Sequence, residues 1–229
     1  MHPAYLAASA NDGVSAGATA ARAEGLLPAF LRLAGRNVLL VGGGQVAAAK
    51  FPALVAAGAR VTIVAPAVCA ALVEAARDAG AAVLLRPFEP RDLEGVWYVV
   101  AAAPAEVNRA VTAAAEPRAL FVNAVDDLPS ATAFSGGIVR KGAVTLAIST
   151  AGLAPALAGL LREALDAVLP EDIDRWTEVA QAARAAWKRA ALPMAARRPL
   201  LLEALNRLYG RSPDDAAATT NATTTERDS

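Results

Sequence analysis

Val38-Leu39-Leu40-Val41-Gly42-Gly43-Gly44-Gln45-Val46-Ala47 is the stretch that decides the fold. Four apolar residues run into three glycines, and a helix-compatible segment follows. Strand, tight glycine turn and helix, in that order, bring a backbone close to a phosphate. On the dinucleotide fingerprint Gly42 makes the turn and Gly44 clears room for a pyrophosphate. Ala47 takes the third small position, where helix packs on strand. The anion would rest on the free N–H groups and positive dipole end of the helix that opens near Gly44, with Gln45 and Val46 in its first turn.

On either side of this stretch, short β-rich runs alternate with alanine-rich helical ones, the pattern of a parallel sheet built from βαβ units. The expected strands are Asn37–Val41, Arg60–Val64, Ala82–Leu85, Trp97–Ala101 and Leu120–Val125. Helices are expected between them at Gln45–Ala57, Ala67–Ala79 and Glu106–Ala115. The strands are near-continuous Val/Leu/Ile runs, as when helices cover both faces of a sheet. Pro52 interrupts the first helix and should kink it.

After Val125 the character changes. Asp126-Asp127-Leu128-Pro129-Ser130 reads as a turn, followed by a β-like run from Phe134 to Val139. A hairpin-like Arg140-Lys141-Gly142 turn then leads to a strand at Ala143–Ser149. Pro155 suits the first turn of a long helix, where its missing N–H costs nothing. That helix carries Leu157, Leu160, Leu161 and Leu165 on one side and stops at Pro170; further helical spacing runs through Ile173, Trp176 and Val179, then Leu201, Leu205 and Leu208. Residues 1–25 and 211–229 have little to bury and read as disordered. No internal repeat is present.

The bulk numbers narrow the chemistry. A chain of 229 residues supports one large domain or two modest ones. Basic and acidic residues balance at 22 each, which gives no electrostatic ground for a nucleic-acid or membrane-surface partner. No apolar run reaches the ~20 residues of a spanning helix, and the N-terminal segment lacks a basic start and apolar core, so a cytoplasmic enzyme is expected. The single cysteine, Cys69, rules out an intrachain disulfide and a CxxC site and reads as a structural thiol in an apolar run. The single histidine, His2, lies near the terminus, so no clustered histidine metal site is expected. Catalysis must rest on carboxylates, hydroxyls, backbone groups or a cofactor.

In open α/β sheets, ligands bind at the carboxyl ends of the strands. Three ends stand out: the glycine turn, the Ala101-Ala102-Ala103-Pro104 edge, small enough for a flat ring or ribose to approach, and Asn123-Ala124-Val125-Asp126. Asp126 is a candidate for proton transfer or for a cation; an Asx-type cap of the next turn is the other reading. Asn123 fits a role in holding loop backbone. The second strand ends at Val64-Ala65-Pro66 with neither an acid for a ribose hydroxyl nor an arginine for a 2′-phosphate, so NAD and NADP are equally served. Ser149-Thr150-Ala151-Gly152 forms either a second anion cradle or a plain helix cap. Arg184, Lys188, Arg189, Arg197 and Arg198 gather in the helical third, as a solvated face or as a landing place for an acidic substrate.

These segments together resemble one family. They are Leu27-Pro28-Ala29-Phe30 with Leu33, Val38–Ala47 followed by Lys50, and Ala57-Gly58-Ala59-Arg60-Val61-Thr62-Ile63-Val64-Ala65-Pro66. Phe88, Asp92-Leu93, Val107-Asn108, Val122–Asp126, Ala147–Thr150, Pro155–Ala158 and Leu161-Arg162 continue the match. Over residues 26–208 the chain resembles the precorrin-2 dehydrogenase/sirohydrochlorin ferrochelatase family of siroheme biosynthesis, which includes the N-terminal half of fused siroheme synthases.

The resemblance implies an α/β fold with a Rossmann-like NAD-binding domain at 26–123, a small β dimerisation segment at 124–165 and a helical tetrapyrrole-side domain at 166–210. It implies NAD-dependent oxidation of precorrin-2 to sirohydrochlorin, followed in many members by ferrous iron insertion in the same cleft, within a homodimer. Asp126 falls on the family's key aspartate and would serve as base and assist pyrrole deprotonation. NAD would lie on Gly42, Gly43, Gly44, Gln45, Val46, Ala65, Pro66, Ala102 and Ala103, and the substrate on Asn123, Ser149, Thr150 and Gly152. The chain departs from the family where Ala103-Pro104 replaces a Thr followed by an acid or amide, where Ala49 replaces an arginine, and where Ala154-Pro155 replaces Ser-Pro. The loss at Ala103 is what a dinucleotide-sensing module without catalysis would show; the family-like helical third argues against that reading.

Overall fold

The computed structural model describes residues 26–210; the readings placed on 1–25 and 211–229, including His2, lie outside them. The described residues form two compact units. The first runs through Gly136 and takes in Ser149–Pro155; the second comprises Gly137–Ile148 and the chain from Ala156.

The first unit is a five-stranded parallel sheet: β1 (Asn37–Val41), β2 (Arg60–Val64), β3 (Ala82–Leu84), β4 (Tyr98–Ala101) and β5 (Phe121–Ala124). Their order is β3-β2-β1-β4-β5. Helices α1 (Gln45–Ala56), α2 (Ala70–Asp78) and α3 (Ala105–Ala115) alternate with them. Both sheet faces are covered, so the two-residue side-chain period of each strand feeds two cores. Val38 and Leu40 of β1 meet Ile63, Val100 and the buried faces of α1 and α2, including Ala47, Phe51 and Leu72. Leu39 and Val41 point the other way, into Val99, Val122 and Val111 and Ala115 of α3. Each fully buried Val, Leu, Ile or Phe contributes about 1.5–3 kcal/mol of burial.

The ends of elements depart from expectation for identifiable reasons. β3 stops at Leu84, the last residue with a β2 partner, Val64. α2 starts at Ala70 rather than Ala67 because the link before it is drawn onto the glycine turn: the Cys69 N–H donates to the Gly43 carbonyl at 2.8 Å. Pro52 lies on the exposed side of α1, and the helix runs on past it to Ala56.

The second unit holds the antiparallel hairpin β6 (Gly137–Lys141) and β7 (Val144–Ile148), and helices α4 (Pro155–Val168), α5 (Ile173–Arg189) and α6 (Met194–Leu208). Arg140 and Lys141, expected in the hairpin turn, belong to β6 and pair with Thr145 and Val144, which leaves a two-residue loop. Asp174 accepts the Ala143 N–H of that loop at 2.9 Å. Pro155 opens α4 as expected. The Lys141 ammonium donates to the carbonyls of Asp166 and Leu169 at the other end of α4 and pairs with Glu171 at 2.7 Å. Trp176 N–H donates to the Tyr209 hydroxyl, which reaches Asp172, tying the ends of α5 and α6.

Candidate active site

The strand order reverses between β1 and β4, and the site lies at the carboxyl ends of the strands around that point. Two of the three glycines are required by steric contact. Gly42 has φ +124°, and a Cβ there would meet the Ala102 carbonyl oxygen at 2.2 Å; a Cβ on Gly43 would meet that of Ala67 at 1.9 Å. At Gly44 a Cβ would meet nothing within 4 Å, so the turn faces open space. Gly44 caps α1 without a side-chain hydrogen bond, and the first turn of the helix holds no acid. Its N–H groups and positive end are left to an anion. These features fit the phosphates of a dinucleotide.

Beside the turn a cleft of about 190 Å³ is lined by Val46, Ala102, Ala103, Ala105, Asn108, Val125, Asp126 and Asp127. Four residues expected at the site from different parts of the sequence therefore come together: Val46 from α1, Ala102 and Ala103 just beyond β4, and Asp126 beyond β5. Asp126 is exposed and left-handed at φ +58°, a conformation aspartate tolerates better than most residues. The alanine edge and the carboxylate share this cleft with Val46 of the helix that follows the glycine turn, which suits proton removal beside a bound planar cofactor.

Other expected residues lie outside this cleft. Ala65 is buried at the end of β2 with Pro66 exposed beside it. Asn123 is buried on β5, where its amide donates to the Ala133 carbonyl and its oxygen accepts from the Ser135 hydroxyl, both at 2.9 Å. Ser135 also accepts from the Lys50 ammonium at 3.4 Å. Ser149 and Thr150 accept the N–H groups of Ala151 and Ala154, both ahead of α4, so these bonds close the turn that leads into the helix. Gly152 faces Leu128, which a Cβ would meet at 2.2 Å, so this turn rests on the segment that follows Asp126. Cys69 is half-buried against the first core, and Arg184, Lys188, Arg189 and Arg198 are exposed or partly so. A larger cavity of about 330 Å³ opens at the opposite, amino-terminal ends of β1–β3, bordered by Asn37, Arg60 and Ala82. Among the described residues no three His, Cys, Asp or Glu gather as a metal site.

Sequence reasoning missed Asn108 and Asp127 as parts of the site. Asn108 is 1% exposed on the face of α3 that buries Val111 and Ala115. Its Oδ1 accepts the Ala103 N–H at 3.1 Å and its Nδ2 donates to the Val125 carbonyl at 3.5 Å. The signal for it was an amide at i, i+3, i+7 spacing with buried apolar residues. Asp127 carries a buried Oδ2 without a hydrogen-bond partner among the described residues. The shifted ionisations lie away from the cleft. Arg86 hydrogen-bonds Asp92 and holds its carboxyl below the usual range, helped by the Glu89 N–H against the opposing effect of burial. Burial pushes the Tyr98 phenol up to about 12.

Residues 29–137 match the family model described as "NAD_binding_7: Putative NAD(P)-binding". Siroheme synthase of Sodalis glossinidius is 40% identical over 181 residues, 79% of this chain and 38% of that protein. Siroheme synthase 1 of Pectobacterium atrosepticum is 44% identical over 155 residues, 67% of this chain and 32% of that protein. The solved structure of SirC, a precorrin-2 dehydrogenase, superposes with a TM-score of 0.61 at 27% identity, covering 78% of this chain and 88% of SirC. The chain is thus similar to siroheme synthases over most of its described length and to SirC in fold. It spans less than two fifths of the length of the siroheme synthases it matches. The parallel sheet, small antiparallel hairpin and C-terminal helices are the fold expected of the family, and the glycine turn lies inside the matched NAD(P)-binding region.

Proposed function

We propose that this chain oxidises precorrin-2 to sirohydrochlorin, with NAD as its cofactor. The observation that carries the reading is the single cleft where Val46, the Ala102–Ala103 edge and Asp126 meet beside an uncapped helix start. Gly42, Gly43, Gly44, Gln45 and Val46 hold the pyrophosphate. Ala65 and Pro66 flank the adenosine ribose, and Ala102 and Ala103 receive the nicotinamide side. The β2 end, Ala65-Pro66-Ala67-Val68, offers neither an acid to a ribose hydroxyl nor a cation to a 2′-phosphate, so NAD is proposed here from the family resemblance. When bound, the dinucleotide supplies the hydride acceptor. Asp126 takes the proton the tetrapyrrole gives up as it is oxidised. Asn123, Ser149, Thr150 and Gly152 serve the substrate side by holding the segments on either side of Asp126. Ferrous iron, as a substrate, is inserted into sirohydrochlorin in the same cleft. A homodimer is inferred from α4, whose Leu157, Leu160, Leu161 and Val168 form an exposed apolar row, and a cytoplasmic location is proposed with it.

The test mixes the full chain with precorrin-2 and either NAD or NADP, and follows NADH or NADPH and the sirohydrochlorin spectrum; ferrous iron is then added and siroheme followed. Asp126→Asn keeps the left-handed turn and dinucleotide binding and lowers turnover roughly 100-fold or more. Undiminished turnover in that variant overturns the role of Asp126. A wild-type chain that binds the dinucleotide and makes no reduced product is a sensing module instead.

A further inference from the structure

We propose that Asn108 is a positioning residue for this reaction: its side-chain amide ties the carboxyl ends of β4 and β5 together and thereby sets where Asp126 stands against the dinucleotide edge. The inference rests on the functional reading above. Asn108 is an amide on an otherwise apolar buried face, a placement that is costly unless both ends of the amide are bonded.

Both ends are bonded, and to the two strands that form the cleft. The Ala103 N–H can be met only by the amide oxygen, which fixes the orientation of the group. The amide nitrogen then faces the Val125 carbonyl. That carbonyl belongs to the peptide that joins Val125 to Asp126. On its other side Val125 is held by its own N–H, which donates to the Ala101 carbonyl at 2.9 Å. Asp126 follows directly in a left-handed conformation, where the chain changes direction. A rotation of the Val125–Asp126 peptide therefore swings the carboxylate across the cleft. Asn108 restrains that rotation, and through Ala103 it refers the carboxylate to the edge expected to receive the nicotinamide. A misplacement of the order of 1 Å costs roughly 100-fold in rate.

The two bonds can be separated. Asn108→Leu removes both. Asn108→Asp keeps the acceptor for Ala103 and loses the donor to Val125 while its carboxyl is ionised; protonated, it regains that donor. Burial beside a carbonyl and near Asp126 and Asp127 raises the introduced carboxyl's pKa, which brings this recovery toward accessible pH. The measurements are kcat and KM against pH, dinucleotide Kd, hydrogen exchange at the Ala103 amide and thermal unfolding, all on the full chain. For Asn108→Leu, kcat falls roughly 10- to 100-fold, Kd rises and Ala103 exchanges faster. For Asn108→Asp, Kd and Ala103 protection stay near wild type, and its kcat relative to wild type climbs as pH falls. A fall in kcat that is flat in pH relative to wild type for Asn108→Asp, or folded variants with kcat within twofold of wild type, overturns the proposal. If the wild-type chain makes no reduced dinucleotide, the functional reading fails and the proposal falls with it. The tie between the strands is then still read from Ala103 exchange and Kd.

Discussion

A Cβ on Gly42 would lie 2.2 Å from the carbonyl oxygen of Ala102. The turn after β1 and the end of β4 therefore touch backbone to backbone, and the space a side chain would need is already filled. Gly42→Ala adds a left-handed penalty at φ +124° to that clash. The expected loss is about 3 kcal/mol of stability, together with dinucleotide binding. Urea denaturation and a fluorescence titration with NADH measure the two effects.

Gly44→Ala should behave in the opposite way. At φ −84° alanine is unstrained, and nothing lies within 4 Å of the new methyl group. Stability holds or rises by about 0.5 kcal/mol as the unfolded chain loses freedom. Dinucleotide affinity falls by roughly tenfold, about 1.4 kcal/mol, because the methyl occupies the space assigned to the pyrophosphate. A variant that binds as wild type does would move the phosphates elsewhere.

The Arg86–Asp92 pair gives a pH signature. Arg86 meets both Asp92 oxygens, at 2.5 and 2.9 Å, and the Glu89 N–H adds a third bond at 2.8 Å. The carboxyl is thereby held below its ordinary value. A depressed folded-state pKa means the stabilisation is fully present above the unfolded value of about 4 and is lost as pH falls through the lower, folded value. Asp92→Asn should thus lower the urea midpoint most at neutral pH, and the two midpoints should converge below about pH 4. A gap that stays constant into acid would assign the loss to packing.

Local pattern made most of the fold legible. Apolar runs placed β1 and β2 to the residue, because Val/Leu/Ile continuity and a flanking turn mark both ends. The start of α2 was misplaced because the Cys69–Gly43 hydrogen bond joins residues 26 apart, and no local propensity reports it. The glycine turn and Asp126 were legible as strand ends. Asn108 was not, since its partners lie five residues before it and 17 after it, beyond the ends of two different strands. Ser149 and Thr150 fitted two readings, and their bonds to Ala151 and Ala154 close a turn that local pattern did not specify.

The register between β4 and β5 acts as a ruler. Ala101 stands opposite Ala124, so Ala103 and Asp126 overhang the last pair by the same number of residues. One residue inserted into β5 would turn the carboxylate to the other face of the sheet; two would restore the face but carry it about 7 Å outward. Strand length therefore fixes how far Ala103 and Asp126 both extend beyond the sheet.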